Sequence, residues 1–491
     1  MKKLILLSIV LIFTLSSCED LEVVGENPNN VSETPPHLLL TEIQWNTFQV
    51  EGMSPLFASR MIVSTSGESA LQYYKWNRGD FDEYGALRNV TKMIEEAERT
   101  EKPAYKALGK FFRAYHFYQL TLRFGDIPYS EALKGETDEL YTPAYDPQKE
   151  VFTGILKELK EADELLENDD ILDGDIIYGG DAYKWRKLIN SFRLKVLLTL
   201  SKQAGGSMNI ADTFADIVVN QPIFESIDDN GQLEFYDQIG SRYGEYNNSS
   251  YGSGIYMDST FVQRLQDRQD PRLFLYADRT KNGKEQGLPV DDFSAYEGGK
   301  PIGAYGDVDD KAAAGNVSKV DLRYTTDPTN EPHVLLGYSE LQLILAEAAV
   351  RGWISSSTAE THYAQGVKAS FAFYKKYAED YSEYLTEQEA TAYLQGNRVD
   401  FSQASSNEEK IRRIQMQKYL RSFLQGGWSA YFDQLRTGYP SFLEPESGAP
   451  PKRWIYPQSE YQNNNDHVSE AISRQFGDGN DKIRATPWWL K

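Results

Sequence analysis

Apolar residues recur along this chain in blocks whose steps alternate between three and four. Leu108, Phe111, Tyr115, Tyr118 and Leu122 form one such stripe, and Phe152, Ile155, Leu159, Ala162 and Leu166 form the next. Trp185, Ile189, Phe192 and Val196 follow behind Gly179-Gly180-Asp181, a turn suited to opening a helix. Leu341, Leu345 and Ala348 mark another block, and Tyr363, Val367, Phe371 and Tyr374 one more. A last block runs from Ile411 to Leu424 and is stopped by Gly426-Gly427. Each stripe is the apolar face of a helix, so the pattern predicts amphipathic helices with polar backs. Helices with a single face to hide must stack on their neighbours, which is the physical basis of tetratricopeptide-like arrays. The blocks do not keep the regular spacing of about 34 residues that such repeats have. The expected fold is mostly α: divergent tetratricopeptide-like helical repeats broken by long insertions.

The largest interruption runs from about Ile223 to Pro332. It is rich in Gly, Asp, Asn and Tyr, and it contains Tyr236, Tyr243, Tyr246, Tyr251, Tyr256, Tyr296 and Tyr305. A segment this long without helical periodicity is either functional or disordered. So many aromatics argue against disorder. It therefore reads as a loop-rich insertion in one folded domain spanning 37–491, preceded over 18–36 by an acidic, Asn- and Pro-rich tether (Glu26-Asn27-Pro28-Asn29-Asn30).

The first residues change the picture. Lys2 and Lys3 precede an apolar run from Leu4 to Leu15, then Leu15-Ser16-Ser17-Cys18. That run is shorter than the roughly 20 residues a membrane-crossing helix needs, so residues 1–17 read as a cleaved secretion signal. Cys18 is the only cysteine in the chain, and it stands where the bacterial lipobox places the lipidated residue. Two or three acyl chains, each adding about 0.8 kcal/mol per buried methylene, anchor a protein stably where one does not. With Cys18 consumed, no disulfide is available and the fold rests on burial, which a chain of this length can supply.

The chain carries 73 acidic against 51 basic residues, a net charge of −22 that becomes −24 once Lys2 and Lys3 are removed. Such a charge repels phosphate backbones, so nucleic acid is excluded as a partner. Glu19-Asp20-Leu21-Glu22 serves equally well as a solvated tether or as an export tag of the kind seen after lipoprotein anchors. Tyrosine is abundant at 32 residues, and its half-apolar, half-polar ring suits a wet binding surface.

Phe111-Phe112-Arg113-Ala114-Tyr115-His116-Phe117-Tyr118-Gln119-Leu120, followed by Arg123-Phe124-Gly125-Asp126-Ile127-Pro128-Tyr129, resembles the hallmark helix and turn of the SusD/RagB lipoproteins. Further similar strings follow in order. They are Trp185 to Leu194, Asp270-Pro271-Arg272-Leu273, Tyr338-Ser339-Glu340-Leu341 with Ala346-Glu347-Ala348, and Gln417-Lys418-Tyr419. Arg436-Thr437-Gly438-Tyr439-Pro440 and Arg453-Trp454-Ile455-Tyr456-Pro457 complete the series, with Asn463-Asn464-Asn465 just beyond. The resemblance, closest to the divergent SusD-like group, implies a lipid-anchored lid on a SusC-like TonB-dependent transporter in the outer membrane. It also implies four tetratricopeptide-like helix pairs backing an irregular ligand-binding half. The hallmark strings themselves read as packing: Arg113 and His116 are expected to bond internally, and Gly125 to Pro128 to end the helix in a turn.

No phosphate loop, zinc-protease helix or nucleophile elbow occurs, and the histidines fall at no ligand spacing. Gly252-Ser253-Gly254 lacks the third glycine of a dinucleotide turn. Asp307-Val308-Asp309-Asp310 and Asp478-Gly479-Asn480-Asp481 offer oxygen ligands in loops but match no calcium-loop pattern, so solvated loop acids are preferred and no metal or cofactor is expected. A glycosidase needs two carboxylates across a cleft, and in a chain this acidic a pair can always be named without meaning anything. Binding without catalysis is the expectation.

A pyranose lays its C–H face on an aromatic ring while its hydroxyls seek amides, carboxylates and arginine. Tyr73, Tyr74, Trp76, Asn77 and Arg78 concentrate those groups and are taken as one wall of a site, with Tyr243, Tyr246, Tyr296 and Tyr305 as the other. Both segments belong to regions that contribute to the ligand face in the resembling proteins. Plain packing is the rival for each ring. An oligosaccharide is the expected ligand. A peptide captured by a RagB-like lipoprotein is the alternative, and a surface glycoside hydrolase or a structural lipoprotein without ligand stand further off.

Overall fold

The computed structural model describes residues 33–65, 69–252 and 254–491. Cys18, the apolar run before it and the acidic stretch after it lie outside the described residues. The scaffold helices are α1 (Pro36–Thr47), α2 (Glu83–Arg99), α3 (Pro103–Phe124), α4 (Gln148–Leu165), α5 (Ala182–Thr199), α6 (Tyr338–Val350), α7 (Ala359–Tyr377), α8 (Asn407–Leu420) and α9 (Ser429–Thr437). The helical reading of the apolar stripes holds, and the mostly α, tetratricopeptide-like class with it. Neighbours pack as antiparallel partners along their length, α2 on α3, α3 on α4 and α6 on α7, while α5 leans on α6 and joins the two halves. Among the described residues no helix is long and apolar enough to cross a membrane.

α3 shows how the pattern becomes a fold. Pro103 stands at its start, where the missing amide proton costs nothing, and Gly125 ends it with φ of +94°. A side chain at Gly125 would also run into Gln475. Between these ends Leu108, Phe111, Phe112, Phe117, Leu120 and Leu122 are all buried, each contributing about 1.5–3 kcal/mol over its exposed state. Phe111 and Phe112 meet the Trp185 ring of α5 edge-on at 5.6 and 5.8 Å. Asp181 caps α5 by accepting from the Lys184 amide, as the Gly-Gly-Asp turn implied, and Asp175 accepts from the Trp185 indole at 2.9 Å. The α8 block is shorter than its apolar pattern. The helix stops at Leu420, and Leu424 has φ of +54° in the turn that follows.

The family-like strings turn out to be buried polar locks. Arg113 pairs with Glu158 and donates to the Tyr129 carbonyl at 3.1 Å, and His116 bridges Glu83 (2.5 Å) and Thr47 (3.3 Å), as expected of packing residues. Asp270 pairs with Arg272 at 2.6 Å, Glu340 with Lys195 at 3.0 Å and Arg421 at 3.2 Å, and Glu347 with Arg436 at 2.5 Å. Burial alone would raise the Asp433 carboxyl, but the Lys418 and Arg436 charges beside it bring it down to about 2. Asp481, expected in a solvated loop, instead accepts from the Tyr456 amide and the Tyr461 hydroxyl and pairs with buried Arg453.

The insertion is less loop-like than its sequence suggested. It holds helices Ser259–Gln266, Arg272–Tyr276, Lys281–Glu285, Tyr305–Ala313 and Arg323–Thr326, several of them opened by side-chain caps such as Asp258 and Thr280. Short helices of one or two turns are too brief to display a periodic stripe. Asp307 to Asp310 therefore lie on a helix, not in a loop, with Val308 between them buried. Strands β1 (Ile62–Ser64), β2 (Gly231–Leu233), β3 (Ile255–Met257) and β4 (His333–Leu336) tie the insertion down. β1 pairs antiparallel with β3, setting Ile62 opposite Met257, and β2 with β4, setting Gly231 opposite Leu336.

Candidate ligand-binding cleft

Most of the rings expected to hold ligand are inside the protein. Trp76 is 5% exposed, stacked on Trp454 at 5.1 Å and enclosed by Trp428, Tyr431 and Tyr74. Tyr74 is buried with its hydroxyl on the Ala58 carbonyl (3.1 Å) and Arg60 over its ring. Tyr73 is buried and donates to the Gly303 carbonyl at 2.7 Å, and Tyr296 is buried and donates to that of Val290 at 2.7 Å. Tyr243 is buried against Phe235 and Tyr324. These five rings spend their faces on protein, so stacking on a sugar is closed to them. Asn77 and Arg78 are exposed, though Arg78 donates to the Tyr456 carbonyl at 2.6 Å and lies over the Tyr461 ring. Tyr246 is half-buried beneath Arg242, and Tyr305 is 46% exposed. Tyr73 meets the insertion at the Gly303 carbonyl.

A different cleft, of about 550 Å³, opens between the insertion and the end of α7. Its volume is that of a site for a small ligand. Phe235, Tyr377 and Tyr381 supply its aromatic walls, and Asp327, Thr329, Asn330 and Lys376 its polar groups. The tyrosines are fixed from behind: the Tyr377 hydroxyl accepts from Gln232 Nε2 at 2.9 Å, and the Tyr381 hydroxyl donates to Asp321 Oδ2 at 2.8 Å. Burial, and then the Asp321 charge, push the Tyr381 phenol up, so it stays a donor. Lys376 sits 4.9 Å from the Tyr377 ring centre. Beneath them Arg323 pairs at 2.8 Å with Glu331, which has no exposed surface; burial opposes the Arg323 charge, but Glu331 overcomes it and keeps it fully charged. One group has no partner. The Asn330 side-chain amide is buried and donates to nothing among the described residues. A buried donor left unpaired costs about 1–3 kcal/mol, so an amide kept that way at a cleft is suited to a ligand oxygen.

None of the nine residues expected from the sequence lines this cleft, although Tyr243 stands one ring behind its Phe235 wall at 5.3 Å. The sequence did mark the insertion, which contributes Phe235 and the 323–332 stretch. Tyr377 and Tyr381 were missed because the first continues an apolar helical stripe and the second follows an ordinary helix end.

The sequence matches the SusD-like_2 family model, described as starch-binding and associating with the outer membrane, over residues 28–457. No curated relative matches it. Among solved structures, a SusD homologue of Bacteroides fragilis is 55% identical, with 94% of this chain and 100% of that one covered and a TM-score of 0.89. An outer-membrane protein of Bacteroides vulgatus, named for an inferred part in nutrient binding, is 52% identical over 93% of this chain and 100% of its own, with a TM-score of 0.90. A chitin-binding protein is 25% identical over 93% and 100%, at a TM-score of 0.74. The chain thus belongs to the SusD-like family of outer-membrane-associated, non-catalytic binding proteins.

Proposed function

We propose that this protein is a surface-exposed outer-membrane lipoprotein that captures an oligosaccharide in the cleft between the insertion and α7 and passes it to a SusC-like TonB-dependent transporter. Residues 1–17 are the signal, Cys18 is the diacylated anchor, residues 18–36 are the tether and residues 37–491 are the binding domain. The unpaired Asn330 amide beside the Tyr377 and Tyr381 rings carries the reading. An apolar ring face next to a donor without a partner fits a sugar's C–H face and its hydroxyls. The starch- and chitin-binding descriptions of the family and of one relative support a glycan. Glu234, Asp327, Glu379 and Asp380 around the rim favour, as a second reading, a basic peptide.

Calorimetric titration of the purified full-length protein in detergent with maltooligosaccharides, chitooligosaccharides and oligolysine tests the assignment. Tyr377→Ala should weaken saccharide binding by about 1–3 kcal/mol, tenfold or more, the scale of aromatic platforms under flat ligands. Asn330→Ala should weaken it while leaving the melting temperature near that of the parent, since the amide nitrogen it removes donates to nothing among the described residues. Saccharide affinities that ignore both changes would remove this cleft. Binding of oligolysine alone would replace the glycan with a peptide.

The anchor rests on the Leu-Ser-Ser-Cys placement. Cys18→Ala should abolish incorporation of labelled palmitate, and unchanged labelling would sink the anchor without touching the cleft.

A further inference from the structure

A second cleft, of about 680 Å³, shares no lining residue with the first and lies where helix Ser259–Gln266, α8 and the Tyr439–Ser441 turn converge. Arg264, Arg268, Arg398, Arg412 and Arg413 all line it. Three acids answer them: Asp267 pairs with Arg398 at 2.5 Å, Glu408 with Arg412 at 2.7 Å and Glu409 with Arg413 at 3.2 Å. Five guanidinium groups against three paired carboxylates make this lining locally basic in a chain whose net charge is −22, with Asp258, Asp270 and Asp400 acting on Arg264, Arg268 and Arg413 from nearby. Among the described residues Arg264 and Arg268 make no ion pair. Arg264 donates to the Tyr419 hydroxyl (3.3 Å) and the Ser441 carbonyl, and Arg268 donates to the Arg264 carbonyl (2.9 Å).

Two of the residues that line the cleft hold donors left over: among the described residues Arg268 Nε and Arg413 Nη1 are buried with no hydrogen-bond partner, the costly state for a charged donor. Burial, with the Arg398 charge beside it, lowers the Arg268 pKa. A guanidinium fork matches the paired oxygens of a carboxylate or sulfate, and the match strengthens as water leaves. Tyr439, held by Glu408 at 2.8 Å with Arg412 at 4.4 Å from its ring centre, adds an aromatic surface to the same wall.

The geometry points to this cleft as a second binding site, one that takes an anionic group of an acidic saccharide, a uronate carboxylate or a sulfate ester, on Arg264, Arg268 and Arg413. Its saccharide identity rests on the glycan reading of the first cleft.

The probes are oligogalacturonate for the carboxylate and dextran sulfate for the sulfate, with unmodified dextran as the neutral partner, titrated into the full-length protein in detergent. The wild type should bind at least one acidic probe, more weakly as salt rises, and bind it better than dextran. Arg268→Gln should weaken that binding about tenfold or more while leaving neutral oligosaccharide affinity at the first cleft unchanged. Arg412→Glu reverses a charge at the exposed rim, so it should fold normally and cause a similar loss if Arg268→Gln does not fold. Failure of both acidic probes to bind the wild type, or equal binding by the parent and the rim variant, would overturn the site. Acidic binding without any neutral binding would overturn the first cleft instead and leave this one standing.

Discussion

Exchanging Arg272 for Met should cost about 3–5 kcal/mol of folding stability, read from the urea unfolding midpoint. The reason is the company Arg272 keeps. Its guanidinium donates to both oxygens of Asp270 (2.9 and 2.6 Å), to Ser370 of α7 (3.1 Å) and to Gln417 of α8 (2.8 Å), with Tyr393 completing the cluster. Removing it leaves Asp270, which has no exposed surface, with the Tyr393 hydroxyl and a backbone amide as donors and without its ion-pair partner. A buried charge stripped of its partner is far more costly than the pair was valuable. The double change Asp270→Ala with Arg272→Met should therefore be more stable than Arg272→Met alone. If the single variant unfolds within about 1 kcal/mol of the parent, the pair does not lock the insertion to the scaffold.

That lock also explains what the sequence could tell and what it could not. The apolar stripes of α3, α4, α5, α6 and α7 were legible because burial on one face imposes a period on neighbouring residues, and the scaffold could be read from them. The strings from Asp270 to Arg272 and around Glu340, Glu347 and Arg436 identified the family, yet their work is to bond α6, α7, α8 and α9 to one another. Such partners lie far away, 145 residues for Arg272 and Gln417 and 235 for Arg436 and Ser201, so nothing local announces them. The candidate site suffered most from this. Tyr73, Tyr74 and Trp76 stand among Lys75, Asn77 and Arg78, a polar setting that suggests a surface, whereas burial is decided by residues that arrive from the far end of the chain. Tyr377 and Tyr381 err in the other direction: they sit where a stripe and a helix end would place packing residues, and the fold leaves their rings beside an open cleft.

Trp76 separates the two kinds of aromatic residue by experiment. Its ring lies nearly parallel to Trp454, at 5.1 Å and 12°, with Trp428 edge-on at 5.9 Å and Tyr431 at 5.4 Å, and its indole nitrogen donates to the Arg453 carbonyl at 3.4 Å. All four of these partners belong to the C-terminal stretch, so the loop that carries Trp76 is covered by chain made more than 350 residues later. Trp76→Ala should open a cavity and lose about 3–5 kcal/mol of stability, with the melting temperature falling accordingly. Saccharide affinity, measured below the melting transition, should stay within about twofold of the parent, less than the tenfold that 1.4 kcal/mol would give, because the ring meets no open cleft. Trp76→Phe keeps an aromatic face toward Trp454 and should recover part of the loss. A variant that melts like the parent but no longer binds saccharide would return Trp76 to the ligand site and take the α7 cleft out of contention as the sole carbohydrate surface.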